Sequence, residues 1–382
     1  MSALGGLAFR IMGARVAVWA GKFVPGPVPM SVIESLEDIE VVDKDHGRSG
    51  FQISFRAERR GILGVLDYPQ LALRTLSPGN RIIIAAWLGV KPAVVMDGII
   101  THLDLDPVNK RVTLTGEDLA VVMDRDEQLV HHTGLTPSWI VLKILAAYAR
   151  YGIIAKIIPP RVNKVPGPHD GCPTQHATDL VYLERLAETC GYIFYLEPGP
   201  APGAATAYWG PPQRTALPQP ALKADLGGQS NLTSIAFRTD AMATTGVTGS
   251  VKDPQTHMTI PVKTIRSTRV PMSKGELLGT LSRTIRLGGV EGESWSAAMA
   301  RAQAHTDRST DDVVTAQGEL DTVRYGAVLR ARGTVGIQGA GYRHDGNYYI
   351  KRVTHKIKRG SYTQSFTLTR GGSGSLTPVV RP

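Results

Sequence analysis

DGIITHLDLDPVNKRVTLTGED, residues 97–118, and YYIKRVTHKIKRGSYTQSFTLTRGG, residues 348–372, decide how this chain is read. Each stretch carries a Thr-His pair, Thr101-His102 in one and Thr354-His355 in the other. A polar turn follows, then a Thr-Leu-Thr strand (113–115 and 367–369), with Gly116 and Gly371 close behind. In the first, Asp106-Pro107-Val108-Asn109 is a turn, because proline presets φ and the Asp and Asn side chains satisfy local backbone groups. Val112 and Leu114 then alternate with threonines, the period of a half-buried strand. In the second, Lys358-Arg359-Gly360-Ser361 supplies the turn. Tyr348 and Ile350 share one face and Val353 and Ile357 the other, so a bulge is expected near Lys351-Arg352. Two similar hairpins this far apart predict two similar β-domains. His102 and His355, at matching positions, are expected to share a structural role.

Working outward, the expected fold class is mixed, mainly β: two similar tube-like β-barrel domains with an inserted α/β module. Residues 1–30 read as an N-terminal arm ending in FVPGPVPM. The first barrel is placed at 31–120, where Phe51, Ile53 and Phe55 alternate and residues 81–87 form an apolar run suited to a strand buried on both faces. Residues 121–230 change character. Thr136-Pro137-Ser138 opens a helix with Ile140, Ile144, Ala147 and Tyr151 at helical spacing. A strand follows at 153–158, and a second helix capped at Thr178 or Asp179 and stopped by Gly191 leads into a strand at 192–196. The Pro/Gly/Ala-rich stretch 198–222 is expected to be a flexible loop. The second barrel is placed at 231–370, with a helical insertion near 294–306 and strands at 313–325 and 328–333. The tail at 371–382 is too small and polar to pack.

The chain of 382 residues, with 42% hydrophobic and 20% charged residues, is built to fold rather than to stay disordered. Its formal charge of +10 admits nucleic acid or a membrane surface as partners, but the basic residues form no run or arm. Two cysteines, Cys172 and Cys190, make no disulfide scaffold, and synthesis in the bacterial cytoplasm is the simpler reading. No apolar stretch suits a bilayer span, so membrane insertion is not expected.

The search for chemistry yields weak candidates. No phosphate loop, zinc-protease helix, dinucleotide fingerprint or nucleophile elbow is present. His169, Cys172, His176 and Cys190 lack the tight paired spacing of a zinc site. Glu184 and Glu188, one helical turn apart, match a pattern that exposed helix faces carry routinely. The basic cluster Lys351, Arg352, Lys356, Lys358 and Arg359 has few aromatics interleaved for base stacking, and suits a solvated or subunit-facing hairpin better than nucleic acid. No catalytic residue, metal or cofactor is expected, and the reading is of an architectural protein rather than an enzyme.

Three segments carry a resemblance. The phrase TDLVYLERLAE (178–188) running through GYIFY (191–195), together with the hairpins at 98–118 and 346–370, resembles the phage late-control D and VgrG-type hub family, in the family's order. The resemblance implies a baseplate hub of a contractile phage tail or injection system. In that family three chains, each with two barrels, make a ring of six that seats a hexameric tail tube on a trimeric spike. A homotrimer is therefore expected, with a tube or tube-initiator protein above, a spike below and other baseplate proteins around it. VgrG chains continue into a further barrel and a needle. This chain reaches Pro382 without them, which implies a separate spike protein. The competing readings are a tail-associated peptidoglycan-degrading enzyme and a nucleic-acid-binding module.

Overall fold

The computed structural model describes residues 9–11, 14–22, 25–57, 74–88, 91–160, 163, 165, 172–252, 258–276, 282–288 and 295–376. Six strands make the first repeat: β1 (Ala14–Gly21), β2 (Leu36–Lys44), β3 (Gly50–Arg56), β4 (Arg81–Leu88), β5 (Lys91–Asp106) and β6 (Arg111–Asp118). They lie side by side in the order β1-β4-β5-β6-β3-β2. Period-2 alternation sends one row of each strand to a common core holding Val16, Ile39, Ile53, Ile84, Ile100 and Leu114. A sheet whose six strands all feed one core must curl around it. The expected N-terminal arm is corrected here: residues 14–21 are a strand hydrogen-bonded along its full length to β4, with Val16, Val18 and Ala20 buried.

The module between the repeats pairs β7 (Glu127–His131) and β9 (Thr174–Thr178). It packs α1 (Pro137–Ala146) and α2 (Asp179–Thr189) on a second small sheet of β8 (Ile153–Ile157), β10 (Ile193–Pro198) and β11 (Ala205–Gly210). Thr136 and Thr178 cap the two helices through their hydroxyls, and Gly191, with φ of 70°, ends the second. The expectation of a flexible loop at 198–222 fails. β11 is the central strand of its sheet, and Trp209 is fully buried with its Nε1 donating to the Leu183 carbonyl at 3.4 Å.

The second repeat has six strands as well: β12 (Gln219–Lys223), β13 (Leu232–Thr239), β17 (Val314–Asp321), β18 (Thr334–Gln338), β19 (Gly346–Lys358) and β20 (Ser361–Arg370). Between β13 and β17 it carries an insertion of β14 (Thr245–Lys252), β15 (Thr259–Thr264), β16 (Arg283–Arg286) and α3 (Trp295–Asp311), which packs Ala298 and Ala302 on Val247, Val251 and Val262. The strand expected at 328–333 forms later, at 334–338, because Arg332 is left-handed (φ 68°) and breaks extension. The strand expected to run to 325 gives way at Thr322 to one helical turn. Gly372 and Ser373 pair with Gly275 and Glu276, and Ser375 is buried, so the tail packs at least that far. Residues 377–382 of the expected tail lie outside the described residues.

The order in the second repeat is β12-β18-β19-β20-β17-β13. By position in the chain this is 1-4-5-6-3-2, the order of the first repeat. Every neighbouring pair after the first is antiparallel in both. The first pair differs, with β1–β4 antiparallel and β12–β18 parallel.

Candidate functional surface: the seam between the repeats

The two repeats share two bulges as well as their order. One extra residue bulges the second strand of each, Glu37 between Leu36 and Asp38, and Thr233 between Leu232 and Ser234. Another bulges the fifth, Thr101 after Ile100 and Lys351 after Ile350, where a bulge was expected. Beside that bulge a left-handed residue donates to an isoleucine carbonyl: Gly79 (φ 86°) to Ile100 at 2.7 Å, Arg332 to Ile350 at 2.9 Å. The next residue's carbonyl accepts from the same isoleucine, Asn80 from Ile100 and Gly333 from Ile350. These marks set a residue-by-residue equivalence in which His102 matches Arg352. The expected shared role of His102 and His355 is therefore wrong: His102 is exposed, His355 is buried, and the Thr-His match is three residues out of register.

A single antiparallel seam joins the repeats. β2 pairs with the second half of β19, from Arg352 opposite Lys44 to Lys358 opposite Asp38. The seam makes one face of the sheet continuous. A row of directly opposed residues crosses it: Asp321, Thr363, Lys356, Glu40, Gln52, Thr115 and His102. All are polar and none is buried. The next row inward, Leu320, Gln364, His355, Val41, Phe51 and Gly116, faces the cores. Its two polar members satisfy each other where the cores meet. His355 Nδ1 lies 3.1 Å from Gln364 Nε2 and 2.9 Å from the Tyr362 hydroxyl, and Gln364 also brackets the Leu329 peptide. Burial pushes the His355 imidazole down to about 4.

Beneath the seam Arg332 ties three bodies together. Its Nη1 lies 2.8 Å from Asp43 and its Nη2 donates to Ser49 Oγ at 3.0 Å, both in the first repeat. Its guanidinium also stacks 4.3 Å above the Tyr195 ring of the module. Burial opposes the charge, but Asp43, Tyr195 and Asp118 outweigh it and raise the Arg332 pKa.

The sequence candidates fall as follows. Lys356 and Lys358 stand opposite Glu40 and Asp38 and line, with Arg111, a cleft of about 290 Å³. Lys351 Nζ meets both oxygens of Asp312 at 2.8 Å, and Arg359 donates to the Glu34 and Leu36 carbonyls. Four of the five basic residues are thus set against acids or carbonyls of this chain, while Arg352 is exposed and stands opposite Lys44. Glu188 faces Arg308 at 3.4 Å, and burial raises the Glu184 pKa without giving it a base's partner. Cys172 is exposed, Cys190 is half-buried with its thiol pushed up to about 11, and His169 lies outside the described residues. Among the described residues no group of three or more His, Cys, Asp or Glu is placed to hold a metal ion. No helix among them is long and apolar enough to cross a membrane. The residue that sequence reasoning missed is Arg332. A left-handed arginine has no signature in composition.

No known protein-family model matches the chain, and no curated protein sequence does. Solved structures do match in fold. A tail protein from Neisseria meningitidis aligns over 94% of this chain and 97% of its own length, with TM-score 0.64 and 14% identity. The 43 kDa tail protein of prophage MuSo2 from Shewanella oneidensis covers 93% of this chain and 98% of itself, at 0.62 and 12%. An E. coli component of the type VI secretion system, described as structurally similar to bacteriophage T4 tail proteins, covers 90% of this chain and 77% of itself, at 0.54 and 14%. The chain therefore has the β-rich fold of phage-tail and type VI secretion proteins.

Proposed function

We propose that this chain, with a fold shared by phage-tail proteins, is a non-enzymatic baseplate hub. Three copies present six similar sheets, seating a hexameric tail tube on a trimeric spike in a contractile phage tail or injection system. The supporting observation is the pair of repeats with common order, common bulges and an in-chain seam. Duplicating a domain lets threefold chain symmetry approximate sixfold symmetry. A tube or tube-initiator protein sits on one side, the spike on the other, and further baseplate proteins around the rim. Synthesis in the bacterial cytoplasm precedes assembly into the particle. The polar row crossing the seam suits the wall of the channel, since it exposes alternating hydroxyls and opposed charges rather than apolar surface. Light scattering and negative-stain microscopy of the purified full chain test the reading. A trimeric ring with a central channel is expected. A monomer at the highest soluble concentration, with no ring in the micrographs, overturns it.

A further inference from the structure

The seam has a counterpart that this chain leaves empty. β19 uses one edge twice: residues 346–349 pair with β18, and residues 352–358 pair with β2. Its equivalent, β5, uses residues 91–99 to pair with β4, and Ile100 to bond Gly79 and Asn80. The remaining residues, 102–106, bond β6 on one side and, among the described residues, no strand on the other. The equivalent of β2 is β13, the last strand of the described sheet, paired only with β17. Among the described residues, therefore, β13 and residues 102–106 of β5 are open edges that correspond, strand for strand, to the two edges joined in the seam. Unpaired edges of this kind are templates for a second chain.

We propose that β13 of one copy pairs antiparallel with residues 102–106 of β5 in the next, with Arg238 opposite Asp104 and Phe237 opposite Leu105. The register follows from the bulges. His102 matches Arg352 and Asp104 matches Thr354, counted from the bulge in the fifth strand. Ser234 matches Asp38 and Arg238 matches Val42, counted from the bulge in the second. Because Thr354 stands opposite Val42 in the seam, Asp104 stands opposite Arg238 between copies. The same arithmetic places His102 opposite Asp240.

The side chains suit that register. Arg238 and Asp104 are of opposite sign and His102 meets an acid, all on the polar face, while the pair on the far side of Asp104, Phe237 and Leu105, is apolar and on the core face. Because pairing with β17 fixes which way these side chains point, a slip of one residue would set Arg238 against Leu103 or Leu105. The hairpin tips tell the same story. The tip of the β19–β20 hairpin buries Ile357 and Tyr362 in the first repeat's core. The tip of the β5–β6 hairpin leaves Leu105 37% and Val108 87% exposed, with no second repeat of their own chain to cover. The occupant is a second copy of this chain, since only another β13 reproduces the seam.

The proposal rests on the trimeric hub reading, and charge reversal in the full-length chain separates the two. Asp104→Arg alone and Arg238→Asp alone should each raise the concentration needed for trimer formation at least tenfold, because three like-charge contacts replace three attractive ones. The double variant should return to within about threefold of the parent. Thermal melts of dilute protein check that every variant folds. If the parent and all variants trimerise alike, this pairing is wrong and the hub reading stands. If both single variants fail and the double variant fails equally, the register is wrong. If the parent itself never forms a trimer, the hub reading falls and the pairing with it.

Discussion

Immediately ahead of the fourth strand of each repeat the backbone turns left-handed, and the two repeats fill that position differently. Gly79 takes it at φ 86°, with open space where a Cβ would sit. Arg332 takes it at φ 68°, a conformation that costs an L residue about 1–2 kcal/mol. The first repeat has only a backbone turn to make there. The second has a body to hold: its arginine reaches under the seam to Asp43 and Ser49 and lies over Tyr195 of the module. The shared topology is thus a scaffold on which one copy acquired a fastening and the other kept a plain turn. The difference is clearest where the repeats touch, which is where a doubled module must stop being symmetric.

Removing the fastening is the severest test of that comparison. Arg332→Ala leaves Asp43 facing a buried gap and keeps the left-handed strain, so it should destabilise the chain by about 3–5 kcal/mol in chemical unfolding. Arg332→Gly loses the same contacts but relieves the backbone, and should be better than the alanine variant by about 1 kcal/mol. Equal stability of the two would mean that the backbone there is not strained.

The hairpin tips give a smaller contrast. Ile357 is 1% exposed and sits in the first repeat's core, so Ile357→Ala should cost on the order of 2–4 kcal/mol. Leu105→Ala, at the equivalent hairpin, should change the unfolding of dilute single chains by less than about 0.5 kcal/mol. Measured together under denaturant, the two variants gauge how far the second hairpin stabilises the first repeat. Similar losses would contradict the burial of the one and the exposure of the other.

Much of this was legible in the sequence, but unevenly. Strong alternation at Phe51, Ile53 and Phe55 and the unbroken run before Trp87 place strands β3 and β4 where period alone puts them. The helix beginning at Pro137 and the one capped by Thr178 announce themselves by their caps. The duplication was inferred from a Thr-His match that is three residues out of register. The inference held because both hairpins occupy the same place in the sheet order, not because the histidines correspond. Alignment is carried by bulges and a left-handed turn, which leave weak traces in residue type. Ala205–Gly210 was missed because Ala205 and Ala207 give its first half no bulky alternation and prolines flank it, so composition outweighed period. Residues 14–21 were missed because Arg15 and the following Pro/Gly-rich stretch masked the alternation of Val16, Val18 and Ala20. The seam was invisible in principle: nothing local in β2 says that its partner lies more than 300 residues away.

The smallest expected effect belongs to His355, buried where the two cores meet. Burial pushes His355 down to about 4, with Arg330 lowering it and Asp43 partly opposing. In the unfolded chain its pKa is near 6.5. Between those values the unfolded state binds a proton that the native state does not, so this residue's contribution to stability falls as pH drops from 6.5 toward 4. The slope is on the order of 1 kcal/mol per pH unit. Asp45 and Asp118, each pushed up by burial to about 6, act in the opposite sense, because their native carboxyls bind protons more readily than the unfolded ones. The total pH profile mixes these groups, and the difference between parent and His355→Asn isolates one. Unfolding free energies measured from pH 7 to pH 4.5 should show the variant's disadvantage shrinking as the medium is acidified. A variant whose line runs parallel to the parent would mean that His355 titrates in the fold as it does in water, and that the junction of the two cores is wetter than its packing implies.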